Sequence, residues 1–82
     1  SARQVYSGLK NSMVNATKAE RAAANEQIIE TAFMQYTNTI LDSLDAPEHV
    51  DQITYQQAVE DRLREDERGR IEKYLRSKHL LF

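Results

Sequence analysis

Cysteine and tryptophan are absent from this 82-residue chain, which holds one proline and two glycines. Without cysteine there is no disulfide, no Cys-ligated zinc, no iron-sulfur cluster and no thiol nucleophile. Long hydrophobic runs are also missing. The longest, Ala22–Ala24, Ala32–Met34 and Leu80–Phe82, are three residues each, against the roughly twenty that a membrane-spanning helix needs. The opening Ser1-Ala2-Arg3-Gln4 has no apolar stretch of the signal-peptide kind, so the expectation is a soluble, intracellular, cytoplasmic chain. Eleven Lys+Arg stand against thirteen Asp+Glu, a net charge of -2, so no global cationic field draws the molecule to nucleic acid or an anionic membrane.

What is present favours helix. Ala, Glu, Gln, Arg and Leu are abundant, helix breakers are few, and no segment reads as a strand. Of the 33 hydrophobic residues nine are alanine, which leaves 24 larger side chains for a core. A domain this small gains only about 3 to 5 kcal/mol from one core without a disulfide, a metal or a partner. Self-association is therefore expected.

The clearest element starts at Thr17-Lys18-Ala19-Glu20, a capping box in which threonine and glutamate satisfy each other's free backbone donors. Ala22, Ile29, Phe33, Tyr36, Ile40 and Leu44 then follow at helical spacing, with Ile28 and Ala32 widening the stripe and Glu26 its one polar member. The spacing predicts a helix over residues 18–43. Asp45-Ala46-Pro47-Glu48 reads as a second start and predicts a short helix through Val50 that ends near Gln52 or Ile53. Thr54-Tyr55-Gln56-Gln57 repeats the capping pattern and opens a third helix through Val59 and Leu63.

From Arg64 to Arg70 there is no apolar residue, which predicts a solvated stretch held by pairs four apart: Glu60 with Arg64, Asp66 with Arg70, Arg68 with Glu72, Glu72 with Arg76. The helix is expected to continue through Gly69, with a bend there, and a break at Gly69 is the alternative. Ile71, Tyr74, Leu75 and Leu80-Leu81-Phe82 restore apolar character on a rotated face. Before Thr17, Val5, Leu9, Met13 and Ala16 keep helical spacing while Gly8, Asn11 and Asn15 oppose it, so residues 1–16 read as an arm or weak helix and 17–82 as one helical domain.

Enzyme chemistry finds no support. His49 and His79 lie in different elements, and the serines have neither a nucleophile elbow nor a glycine-rich turn. Asp45 and His49 form a four-apart pair, but two ligands are too few for a metal and Asp45 reads as a cap. His79 near a helix end complements the dipole. Asn15-Ala16-Thr17 matches a glycosylation acceptor in form only, since Thr17 reads as a cap. No catalytic residue, metal, cofactor or small-molecule substrate is expected.

Charge is distributed unevenly. Asp45–Glu67 carries two basic and eight acidic residues, a net of -6, and Arg68–Phe82 carries five basic and one acidic, a net of +4. Acids early and bases late suit a helix dipole. The alternative is that Arg68, Arg70, Lys73, Arg76 and Lys78 meet phosphates or an acidic partner. A helix-turn-helix reading would send Tyr55, Gln56, Gln57, Glu60 and Asp61 into the major groove, where the acids carry the wrong sign.

The sequence thus predicts an all-α fold: a small helical bundle of three main helices, with a weaker N-terminal helix, completed by self-association. The function expected is protein-protein interaction and assembly by burial of helix faces, with a homo-oligomer or a helical protein as the partner. Ile29, Phe33, Tyr36 and Ile40 form the expected main seam; Tyr74, Leu75, Leu81 and Phe82 form a second contact. The runner-up is nucleic-acid binding through the basic C-terminal turns.

Overall fold

The computed structural model describes all 82 residues and is all-helical, with no strand. Three α-helices appear in chain order: α1, Ala2–Leu9; α2, Lys18–Leu41; and α3, Gln52–Ser77. A single 3-10 turn, Lys10–Met13, follows α1. Helices α2 and α3 pack as a hairpin, and α1 lies against α2. The molecule is a rod of 53 × 20 × 20 Å. No helix is long and apolar enough to cross a membrane.

Helix starts are set by side chains that take up free backbone donors. Thr17 accepts from the Glu20 N–H at 3.1 Å while the Glu20 carboxylate accepts from the Thr17 N–H at 2.9 Å, the capping box expected from sequence. The same device opens α1, where Ser1 accepts from the Gln4 N–H and its amino group donates to the Gln4 side chain at 2.7 Å. The weak arm is therefore a helix with a proper start.

The expected short helix after Asp45 does not form. Pro47–Val50 is instead a turn closed by the Val50 N–H on the Pro47 carbonyl at 3.1 Å, with His49 in the left-handed region at φ 69°. That φ at a third turn position is what a type II turn requires. The Gln52 side chain accepts from the Ala46 N–H at 2.9 Å, tying the turn to α3. The start of α3 moves with it: Asp51, not Thr54, is the cap, and its carboxylate accepts from both the N–H and the hydroxyl of Thr54. A carboxylate is the stronger acceptor at the positive end of a helix dipole. Helix α2 stops at Leu41, two residues before the predicted end, and α3 runs unbroken through Gly69.

The core gathers at one end of the rod. Ala2, Ile28, Ile29, Leu75 and Leu80 form one buried cluster, ringed by Val5, Tyr6, Ala32, Ile71, Leu81 and Phe82. Ala2 of the N-terminal arm thus shares a core with both long helices. Further along α2, Phe33 and Thr37 are fully buried. Eight residues in all are buried, so little of the chain is hidden from water.

Candidate interaction surfaces

Four surfaces follow from this arrangement. The first is the end of the hairpin remote from α1. There two helices stand without a third, and Ile40, Leu41, Leu44, Tyr55, Val59 and Leu63 are only half-buried. Tyr36 is 40% and Ile53 76% exposed. A two-helix layer has no means of covering both of its faces, so apolar surface remains open.

The second lies between the long helices. The Arg64 guanidinium donates to both Glu30 carboxylate oxygens, at 2.8 and 2.9 Å, and its carbon sits 4.4 Å from the centre of the Phe33 ring. One turn on, Arg68 donates to Glu26 and lies 3.9 Å from Glu30. The hydrogen bond from Arg64 holds the Glu30 carboxyl below its ordinary value, aided by the attraction of both arginines and opposed by burial. The stretch predicted to be solvated is therefore half-buried at Arg64, Glu67 and Arg68, and the predicted pairs within α3 give way to pairs across the hairpin. Within α3 the ion pairs are Arg62 with Asp66 and Arg70 with Glu67. The reason is geometric: Glu26 and Glu30 are four apart on α2, Arg64 and Arg68 four apart on α3, and antiparallel packing brings the two rows together.

The third surface is the basic end of α3. Arg68 is engaged by Glu26, and Arg70 has Glu67 at 3.8 Å. Lys73, Arg76 and Lys78 are exposed and belong to no ion pair. Tyr74 stands among them 59% exposed, with the Lys78 ammonium 5.7 Å from its ring centre.

The fourth is a cleft of α1 and α2 filled by the chain's own tail. The Asn25 amide donates to the Phe82 carbonyl at 3.0 Å and accepts from the Phe82 N–H at 2.6 Å. The Phe82 ring stacks on Tyr6 with centroids 4.6 Å apart and 17° between planes. The tail reaches this place through a Schellman turn at the end of α3: His79 donates to the Arg76 carbonyl, Leu80 to that of Leu75, and His79 takes the left-handed φ of 58°. Leu75 and Leu80, the residues whose apolar contact accompanies this motif, are both in the core.

Set against the sequence reading, Ile29, Phe33 and Leu75 lie inside the chain, Leu81 and Phe82 are half-covered by it, and Tyr36, Ile40 and Tyr74 keep open surface. Nothing local in the sequence marks Asn25 and Tyr6 as partners of the tail, since Phe82 lies 57 residues from the first and 76 from the second. His49 meets Glu48 alone, at 3.7 Å and in full solvent, and no three His, Asp or Glu side chains converge. No family model, no curated protein and no solved structure matches the chain.

Proposed function

We propose that this chain is a non-enzymatic assembly module that pairs with a second copy of itself through the open face of its hairpin. One observation carries the reading: apolar residues of both long helices are left half-covered where α1 does not reach, with Tyr36 and Ile53 exposed at the same end. A second hairpin laid against this face completes a four-helix arrangement in which each copy covers the other. Charge favours an antiparallel pairing, because the acidic stretch Asp45–Glu67 of one copy then lies beside the basic stretch Arg68–Phe82 of the other. In that arrangement Tyr74 of one copy faces the Tyr36 and Ile53 end of its partner. The seam is Tyr36 and Ile40 rather than the whole stripe, since Ile29 and Phe33 are occupied within one chain.

Sedimentation over a concentration series tests it. A mass rising to twice that of the chain is expected, and Ile53→Glu with Tyr36→Glu lowers the association without unfolding the protein. A single-chain mass at every concentration ends the proposal.

A second reading has its own observation. Lys73, Arg76 and Lys78 belong to no ion pair and surround an exposed tyrosine, a set able to meet phosphate oxygens and stack on a base. Retention on mixed-sequence DNA or RNA at low salt, lost in Lys73→Glu with Arg76→Glu, is its expected outcome. Equal retention in that variant removes the site.

A further inference from the structure

We infer that the cleft of α1 and α2 is an exchangeable receptor for the Leu80-Leu81-Phe82 segment, and that it accepts the same segment from a second copy of this chain. The inference is independent of the hairpin pairing, because it uses the other end of the rod.

Recognition in the cleft is of the kind that works on a separate chain. Asn25 reads the backbone of Phe82 through both its N–H and its carbonyl, as a neighbouring strand would, and Tyr6 supplies a flat apolar surface for the ring. Leu80 is almost wholly buried beside Leu75 and Ile28. The Asn25 and Tyr6 contacts to Phe82 do not depend on the tail belonging to the same chain. What ties it there is the turn at His79: two hydrogen bonds, His79 to Arg76 and Leu80 to Leu75, around a left-handed conformation that a residue with a Cβ adopts at a cost.

That one residue sets the balance between the two forms. In the closed form the left-handed His79 reverses the chain into its own cleft. If His79 leaves that region, the tail points past the end of α3, away from its own cleft and toward a neighbour's. The closed form normally prevails because a tethered ligand has an effective concentration on the order of millimolar. Exchange keeps the Asn25 and Tyr6 contacts and relieves the backbone cost while giving up the two hydrogen bonds of the turn, which makes it a low-cost route to association. In an antiparallel pair of hairpins the two clefts lie at opposite ends, so exchange would link pairs end to end.

The full chain carrying Ile53→Glu, to silence the hairpin face, is the background for the test. A β-branched residue resists the left-handed region and glycine accepts it freely. His79→Val should lower the midpoint concentration of association by about tenfold, and His79→Gly should raise it by a similar factor. Asn25→Ala added to His79→Val should remove the association. Because the chain has no cysteine, exchange can also be trapped: mixing Tyr6→Cys chains with Phe82→Cys chains should give a mixed disulfide of doubled mass. An association unmoved by either His79 variant, or insensitive to Asn25→Ala, overturns the inference. Should His79→Val fail to fold, the His79→Gly shift and the mixed disulfide decide alone. Absence of both overturns it while leaving the hairpin pairing untouched.

Discussion

Arg64 grips Glu30 across the hairpin with two parallel hydrogen bonds while its guanidinium covers the Phe33 ring. Both charged side chains are more than a third exposed, so the ion pair alone is worth a surface value, about 0.2 to 1 kcal/mol. The ring contact adds about 0.5 to 1 kcal/mol. Arg64→Ala should therefore cost about 1 to 2 kcal/mol, read as a lower urea midpoint. Arg64→Lys keeps the charge and loses the planar fork, so it should fall between the two. A wild-type midpoint for Arg64→Ala would mean that the clamp contributes nothing.

The same pair gives stability a dependence on pH. Glu30 is held below its ordinary value near 4.5, chiefly by the hydrogen bond from Arg64, so the unfolded chain binds a proton more readily than the folded one. The contribution is complete above the unfolded value and disappears as pH falls through the folded one. Glu20 acts in the same direction through the Thr17 backbone N–H, at full exposure. Urea midpoints should fall as pH is lowered past the ordinary carboxylate value near 4.5, and the fall should be shallower in Glu30→Gln. A variant as steep as the wild type would assign the acid sensitivity to other carboxylates.

How much of this was legible in the sequence depended on how local the cause is. Thr17 and Glu20 are three residues apart, and their capping box could be read directly. The continuity of α3 was legible only in part: the four-apart charges favour helix, Gly69 leaves a break open, and the helix runs through it to Ser77. The row of Glu26 and Glu30 and the row of Arg64 and Arg68 were each visible, yet their meeting was not. Charges four apart on one helix look solvated until the antiparallel register is known. The Asn25 and Tyr6 contacts to Phe82 depend on a reversal at His79, where a histidine stands in a position that usually signals itself with glycine. The Ser1 cap is less legible, because Gly8 and Asn11 disfavour helix in the short segment that it starts.

The start of α3 separates two candidate caps. Asp51 accepts from the Thr54 N–H at 3.0 Å, and the Thr54 hydroxyl donates to the same oxygen rather than capping the next turn. Asp51→Ala should cost about 1 kcal/mol, within the usual range of about 0.5 to 2 for a lost cap. Thr54→Ala removes only an exposed hydroxyl contact and should cost less. Denaturant midpoints of the two variants decide the order, and the reverse ranking would place the helix start three residues later.

Thr37 offers a variant whose expected sign runs against most core substitutions. It is the one fully buried polar side chain, and its hydroxyl has no hydrogen-bond partner. Thr31 and Thr39, nearby on the same helix, return their hydroxyls to the Gln27 and Gln35 carbonyls, so the helix offers that solution and Thr37 does not take it. An unpaired buried hydroxyl costs about 1 to 3 kcal/mol, and valine keeps the branched shape without the polar atom. Thr37→Val should raise the urea midpoint, by the equivalent of about 1 kcal/mol. Thr37→Ser keeps the hydroxyl, loses the methyl and should lower it by a similar amount. If Thr37→Val were the destabilised member of the pair, the hydroxyl would have to be bonded in solution. The packing of α2 against α3 around Phe33 would then differ from the one described.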